Sequence, residues 1–215
     1  HVTGRLAPGV SSKDIILRII ASLGVNGGLG YAYEYGGPTI EGLSMEARLT
    51  ICNMSIEGGA RVGYICPDRT TFEYLKGRRF APAGAEFDRA VEWWKQISSD
   101  ADADYDDLFK LDVDSLEPMV AWGINPGQGI GVTGRLPRPE DVAKADRDVL
   151  EKAYQFTGFK AGSPIGGQKI DVAFIGSCTN GRLSDLREAA RIAKGRRVAA
   201  RVKALVVPGS KAVAR

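Results

Sequence analysis

The sequence predicts an α/β protein in which strands alternate with helices. Three observations support this class. Apolar residues recur at helical spacing in several segments, and short apolar runs bounded by Gly or Pro lie between those segments. In addition, 44% of the residues are hydrophobic, as in a globular protein with a core. Strands separated by helices favour parallel pairing, so we expect parallel sheets.

The first predicted element is a helix over 11–24, "SSKDIILRIIASLG". Ser11 or Ser12 can accept hydrogen bonds from the free N–H groups at its start, where Asp14 also suits the positive end of the helix. Gly24 permits the left-handed turn that often ends a helix. Apolar residues at helical spacing predict the buried face: Ile15, Ile16, Ile19, Ile20 and Leu23.

A second helix is predicted over 43–60, with Ser44 as its N-cap. Its apolar side is expected to consist of Met45, Leu49, Cys52 and Ile56. Asn53 and Glu57 are four residues apart and would therefore project together beside this apolar stripe.

The remaining predicted elements continue the alternation of strands and helices. Strands are predicted at 31–35, 61–66, 170–175 and 202–210. Helices are predicted at 69–77, 85–99 and 143–156, and again after residue 180. In that last helix the inward-facing residues are expected to be Leu183, Leu186, Ala190 and Ala193.

Two stretches without helical periodicity form a predicted seam between folded parts, the acidic segment 100–117 and the Pro/Gly-rich segment 122–141. The glycines of 126–134 resemble a dinucleotide-binding fingerprint. That fingerprint requires a strand before it and a helix after it, whereas Pro137 and Pro139 follow here and no helix begins. We interpret it as a loop with close backbone approach.

Composition excludes several classes of protein. No stretch approaches eighteen uninterrupted apolar residues and no signal-peptide pattern opens the chain, so we expect neither a membrane span nor a leader. The three cysteines, at 52, 66 and 178, show no disulfide-framework spacing and indicate a reducing compartment, the cytoplasm. His1 is the only histidine, which leaves no hydrolase triad and no common zinc site.

Cys178 stands at a corner between a strand and a helix, in "IDVAFIGSCTNGRLSDLREAARIAKG". The carboxyl end of a strand is the usual ligand-facing edge of an open α/β sheet, and a helix N-terminus favours a thiolate. Thr179 and Asn180 add short polar groups beside it. A buried structural cysteine is the other interpretation, because free cysteine is among the most buried residue types.

Several segments resemble the aconitase superfamily. "FIGSCTNGRLSDLREAA" is similar to its first cluster-cysteine segment, in which "GSCTN" carries one of three thiolates that hold a [4Fe–4S] cluster. "SMEARLTICNMSIEGGA" looks like the segment that supplies an active-site Asn and Glu. "PDRTTFEYLKGR", "VAWGINPGQ" and "GRRVAARVKALVVPGS" agree best with the isopropylmalate dehydratase branch. The resemblance covers essentially all 215 residues.

The resemblance implies a role for four residues. Cys178 would be a ligand of the cluster, with Asn180 beside it. Asn53 and Glu57 would be catalytic, Asn53 near the cluster and Glu57 reaching the water or hydroxyl bound at its open iron. Cys52 matches no cluster cysteine of the family, nor does Cys66, and we interpret both as core residues.

The resemblance also implies what lies outside the chain. In the family, the other two cluster cysteines form a C-x-x-C pair downstream, and further active-site segments lie upstream. We therefore expect an aconitase-like fragment, inactive by itself, of a larger multidomain subunit built from three-layer α/β domains; the start at His1 agrees with this. Its expected parts are a second domain, 1–113, an inter-domain connection, 114–165, and the start of a third domain, 166–215.

The implied reaction is the conversion of 2-isopropylmalate to 3-isopropylmalate by loss and re-addition of water, in leucine biosynthesis. Three thiolates for four irons leave one iron open to act as a Lewis acid. The expected partners are 2-isopropylmalate and a small subunit, in a heterodimer or heterotetramer, with no nucleic acid and no membrane.

Three alternatives remain open from the sequence. One is a homoaconitase- or aconitase-type hydro-lyase, because the groups that select the substrate side chain lie outside the chain. Another is RNA binding, because residues 181–215 contain ten Lys or Arg and two acidic residues, a net charge of +8 in a chain whose total is +3. The third is a module that only docks the small subunit.

Overall fold

Helices and short strands alternate along the chain, which confirms the predicted α/β class. The computed structural model describes residues 1–215. The strands are β1 (Val2–Thr3), β2 (Ala32–Glu34), β3 (Val62–Tyr64), β4 (Leu111–Asp112), β5 (Met119–Ala121), β6 (Gly129–Gly131), β7 (Val172–Ile175) and β8 (Lys203–Val206). The helices are α1 (Ser12–Leu23), α2 (Pro38–Glu41), α3 (Met45–Met54), α4 (Arg69–Leu75), α5 (Ala85–Gln96), α6 (Arg147–Thr157), α7 (Leu183–Ala193) and α8 (Lys211–Ala214). No helix is long and apolar enough to cross a bilayer.

The strands form four two-stranded sheets. Three pairs are parallel, β1 with β4, β2 with β3, and β7 with β8, as expected for strands separated by helices. In the last pair α7 is the crossover helix. The fourth pair, β5 with β6, is an antiparallel hairpin within the stretch predicted as a seam. Its second strand is Gly-Ile-Gly, which carries too few side chains to show the alternation typical of a strand.

Helix α1 lies at the centre of the larger core. Ser11, one of the two predicted caps, is its N-cap and forms a capping box with Asp14. The helix ends at Gly24 as predicted, but with a φ of +81° and a ψ of 164° this residue does not adopt the left-handed helical conformation that was expected. Its isoleucines are buried with residues from α2, α3 and the strands. The buried members of this core are Val2, Ile15, Ile16, Leu17, Ile19, Ile20, Tyr35, Ile40, Ile51, Met54, Val113 and Leu116.

A second, smaller core forms around α6 and the β5–β6 hairpin. Its buried members are Trp122, Leu136, Leu150, Ala153 and Ile165. Trp122 stacks on Tyr154 with ring centroids 5.0 Å apart. All five residues lie in the segment 114–165, which was predicted to be an inter-domain connection, so this segment forms a core of its own. The boundaries at 113 and 165 remain a prediction.

The β7–α7–β8 unit is much less buried. None of the residues in these three elements is buried, and Leu186 is only half-buried. The expected inward face of α7 is therefore wrong for Leu183, Ala190 and Ala193, which are exposed. The physical reason is that a two-stranded sheet offers α7 too little surface to cover its apolar side.

Helix α3 differs from its prediction in length and in its buried face. It ends at Met54 and continues as a 3₁₀ turn over Ser55–Gly58. The residues expected to be buried include Leu49 and Ile56, whose exposed fractions are 36% and 63%. The residues that are buried instead are Arg48, Thr50, Ile51, Met54 and Ser55.

Arg48 explains why that face turns inward. Its side chain is 2% exposed and forms two hydrogen bonds of 2.7 Å to the carboxylate oxygens of Asp68, which also caps α4. A third bond, also 2.7 Å, goes to the carbonyl oxygen of Glu41. A charge can be buried only when it is paired and hydrogen-bonded in this way. The pair therefore sets the rotation of α3 about its axis.

The Arg48–Asp68 pair should make stability depend on pH. Burial by itself would raise the pKa of Asp68, but hydrogen bonds from Arg48 and from backbone N–H groups outweigh it and hold the pKa below its usual range. A lowered folded-state pKa stabilises the fold above the unfolded pKa of about 3.9, and this contribution is lost as the pH falls through the folded pKa.

We expect Asp68→Asn to lower the free energy of unfolding at pH 7 by about 2 kcal/mol, less than for a fully buried pair because Asp68 is partly exposed. The difference from the unsubstituted chain should shrink below about pH 4, as followed by urea unfolding at several pH values. Glu73→Gln, in an exposed pair with Arg69, is the control and should change stability little. An equal loss at pH 3 and pH 7 would contradict the role of Asp68.

The Asp14 carboxylate should also contribute measurably to stability. It is 7% exposed and accepts bonds from the N–H and hydroxyl of Ser11, at 2.6 and 2.7 Å, and from the N–H of Met119, at 2.7 Å. We expect Asp14→Ala to lower the free energy of unfolding by about 2–3 kcal/mol, because donors lose their partner at a buried site. Asp88→Ala, in the exposed first turn of α5, is the matched control, and equal losses in urea unfolding would refute this prediction.

Candidate functional site

Cys178 lies in the loop of residues 176–182, between β7 and α7. We call this segment the cysteine loop. Its first residue, Gly176, has a φ of +123°, and a side chain there would collide with the carbonyl oxygen of Val207. Farther along, the N–H of Gly209 donates to the carbonyl oxygen of Gly181 at 2.8 Å. The loops that follow β7 and β8 thus lie against each other at the carboxyl ends of two parallel strands, the edge at which α/β proteins bind ligands.

The cysteine loop contacts α3 through polar side chains. The Nδ2 of Asn53 donates to Oγ1 of Thr179 at 2.6 Å, across 126 residues of sequence. Nη1 of Arg182 lies 3.1 Å from Oγ1 of Thr50, and Nδ2 of Asn180 lies 3.3 Å from the same oxygen. Two of the predicted site residues, Asn53 and Asn180, therefore belong to one junction, and Sγ of Cys178 lies 3.8 Å from the Thr179 hydroxyl that Asn53 binds.

The orientation of α3 produces this junction. Glu46, Thr50 and Asn53 are spaced four and three residues apart and so share one side of the helix. The adjacent side, about a quarter turn around the helix axis, carries Ile51 and Met54 into the core. Sequence reasoning missed Thr50 and Arg182 as site residues. Thr50 could have been identified from the polar i, i+4, i+7 spacing of α3.

Asn180 is held in a fixed orientation. Its backbone N–H donates to Oγ of Ser177 at 2.8 Å, and its Nδ2 lies 3.3 Å from Oδ1 of Asp185. Because a carboxylate only accepts hydrogen bonds, the amino side of the amide must face Asp185. The Oδ1 of Asn180 is then buried without a partner. Such an atom can accept a hydrogen bond from a water or a ligand hydroxyl.

Glu57 occupies a different position from Asn53. The prediction that they share one face of a helix is wrong, because α3 ends at Met54 and Glu57 lies in the 3₁₀ turn, which has three residues per turn instead of 3.6. Glu57 is exposed and lines a shallow depression with the start of α1, including Lys13, and with Asn125 of the β5–β6 loop. Its carboxylate is thus accessible to a solute.

The three cysteines occupy different environments. Cys178 is exposed, and its Sγ lies 3.8 Å from Oγ1 of Thr179. Cys52 is half-buried, and burial raises the pKa of its thiol. Cys66 is also half-buried and donates to Oε1 of Glu34 at 3.3 Å. No three His, Cys, Asp or Glu side chains come together as a metal site within the chain.

Cys178 fits one ligand position of an iron–sulfur cluster. A thiolate is the ligand that such clusters take from proteins, and this one is exposed on a loop that its glycines and polar contacts hold in place. A [4Fe–4S] cluster needs more than one thiolate, so this chain supplies one member of a larger donor set. Cys178 does not sit at a helix N-terminus as expected, since α7 begins five residues later at Leu183.

The whole chain, residues 1–215, matches the model of the aconitase family, described as aconitate hydratase. The chain belongs to the aconitase family. It is 62% identical over 213 residues to the 3-isopropylmalate dehydratase large subunit of Gloeothece citriformis. The proteins of the same name from Rippkaea orientalis and from Nostoc sp. are each 60% identical. In each case the match covers 99% of this chain and 46% of the relative, so the chain spans about half the length of these relatives.

The cysteine environments predict an order of reactivity. We expect iodoacetamide to modify Cys178 about tenfold faster than Cys52, because Cys178 is exposed, whereas burial shields the Cys52 thiol and raises its pKa. Mass spectrometry of the digested chain after timed quenching measures each rate. As a control, the two rates should converge in denaturant, where both thiols are exposed. Equal modification rates in the folded chain would contradict the difference in burial between Cys178 and Cys52.

Proposed function

We propose that the protein containing this chain is a hydro-lyase of leucine biosynthesis that converts 2-isopropylmalate to 3-isopropylmalate at a [4Fe–4S] cluster. Cys178 is one of three thiolate ligands in this proposal. The observation that carries it is the junction of the cysteine loop with α3, where Asn53 donates to Thr179 beside an exposed Cys178. The identity of 60–62% with 3-isopropylmalate dehydratase large subunits supports this choice of substrate.

The cluster would supply a Lewis-acidic iron that makes hydroxide a better leaving group. The chain's own residues would position and exchange protons around that chemistry. Asn53 holds the cysteine loop through its bond to Thr179, at 2.6 Å. Asn180 offers its unpartnered Oδ1 to a donor such as a water or a substrate hydroxyl. Glu57 offers an exposed carboxylate that can carry a proton to or from the departing hydroxyl.

Glu57 lies in the 3₁₀ extension of α3, whereas the cysteine loop contacts α3 itself. In this proposal Glu57 serves the reacting hydroxyl, whereas Asn53 and Asn180 serve the cluster side of the site. The depression beside Glu57 also contains Lys13, a cation suited to a carboxylate of the substrate. This division of roles agrees with the separate surroundings of the two groups.

The complete enzyme in this proposal is a cytoplasmic assembly of a large subunit, which contains this chain, and a small subunit. The name of the relatives, large subunit, supports such a partner. The one thiolate at the junction also agrees with a site completed by groups outside this chain. We expect this chain alone to lack activity and to hold no stable cluster.

The proposal predicts the effect of removing the Cys178 thiol. In the complete large subunit, reconstituted without oxygen with iron and sulfide, Cys178→Ser should lose most of the visible charge-transfer absorption of a cluster, because a ligand is lost. Absorption spectra and iron content per subunit measure the effect.

Cys66→Ser is the matched control, because Cys66 is also a free cysteine but lies beside Glu34, away from the cysteine loop. It should keep the full absorption. A Cys178→Ser subunit with full iron content and full isomerase activity would disprove the proposed ligand role.

A further inference from the structure

The hydroxyl of Thr50 lies at the centre of the junction between α3 and the cysteine loop. Thr50 is 1% exposed. Its Oγ1 donates to the carbonyl oxygen of Glu46 at 3.1 Å, and it is approached by Nη1 of Arg182 at 3.1 Å and Nδ2 of Asn180 at 3.3 Å. A hydroxyl has one proton and two lone pairs, so all three are in use.

An ordinary helical threonine does less than this. Thr157 in α6, for example, donates to the carbonyl oxygen of Ala153 at 2.9 Å and accepts from the N–H of Phe159 at 3.4 Å, so both of its bonds stay within a few residues of sequence. Thr50 makes the equivalent bond to Glu46 and also binds two donors from a loop some 130 residues away. The additional bonds therefore serve the contact between the two segments and not the helix itself.

The contact depends on polar groups because little apolar surface is buried nearby. β7, α7 and β8 contain no buried residue, and the buried residues of the cysteine loop are Thr179 and Gly181. Arg182 is charged and half-buried, and its Nη1 also lies 3.3 Å from the carbonyl oxygen of Glu46. Hydrogen bonds from charged donors are roughly twice as strong as neutral ones.

We propose that Thr50 and Arg182 are positioning residues, which fix the place of the Cys178 thiol relative to α3 by binding the two sides of the junction together. The consequence of this positioning for the cluster rests on the proposed function, whereas the positioning itself does not. Neither residue touches the reacting atoms. Both act through the cysteine loop, which carries the ligand.

Amide hydrogen exchange of this chain tests the positioning directly. Thr50→Val keeps the shape of the side chain but leaves the Arg182 and Asn180 donors without their acceptor. We expect about tenfold or faster exchange at the amides of Asn180, Arg182 and Gly209, whose N–H groups bond to the cysteine loop or to the start of α7 and so report on how firmly the loop is held. Exchange at the amides of α1 and α6 should not change, as measured by NMR.

Two variants serve as controls. Thr50→Ser restores a hydroxyl and should return exchange in the cysteine loop close to that of the unsubstituted chain. Thr157→Val removes a hydroxyl whose bonds, to the carbonyl oxygen of Ala153 and from the N–H of Phe159, are both local, and it should leave the cysteine loop unchanged. If Thr50→Val changes the loop no more than Thr157→Val does, the proposal is wrong.

Arg182→Met provides a second route that leaves α3 intact. It should accelerate exchange at the same amides. In the double variant with Thr50→Val, exchange should be little faster than in the faster of the two single variants, because both substitutions break the same contact. Full additivity of the two effects would overturn the proposed coupling between these residues.

The complete subunit then links the junction to the cluster. Thr50→Val should shorten the half-life of the visible cluster absorption in a chelator by about tenfold, and Thr50→Ser should restore it. Unchanged cluster loss alongside faster loop exchange would disprove the role in holding the ligand. If the unsubstituted subunit forms no cluster, the proposed function fails while the exchange result stands independently.

Discussion

The burial of helix α1 is the constraint on which the rest of the structure depends. Its isoleucines are buried on successive turns, and α1 contacts α3, β5 and β6. Because Asp14 at its start also accepts from the N–H of Met119, the helix ties the β5–β6 hairpin to the larger core. The packed helix α1 therefore fixes the position of α3, while the Arg48–Asp68 pair fixes its rotation, and together they place the polar side of α3 at the junction with the cysteine loop.

The site itself is built in a different way from the core. The larger core relies on apolar side chains, whereas the cysteine loop is held by hydrogen bonds from Asn53, Asn180 and Arg182 and by close backbone contact at Gly176. Polar contacts have strict geometry, so they can place a thiol accurately with little buried apolar surface. They also leave Cys178 exposed, so its thiol is accessible to a metal cluster.

Much of the fold and part of the site could be predicted from the sequence. The N-cap at Ser11, the end of α1 at Gly24 and the strand before Cys178 all come from neighbouring residues, and each was found where it was expected. The buried face of α3 was predicted wrongly, because Arg48 is buried by pairing with Asp68, twenty residues away. A pattern of apolar residues cannot show a buried charge, since its partner is chosen in three dimensions.

The sequence by itself determined the alternation of strands and helices, the strand that precedes Cys178 and the membership of a family. These depend on periodicity, capping and short motifs, all of which are local. Only the tertiary structure decided that Asn53 binds Thr179 while Glu57 faces a separate depression, and that Thr50 meets Arg182. The physical reason is that a hydrogen bond between segments more than 100 residues apart depends on the packing of every element between them.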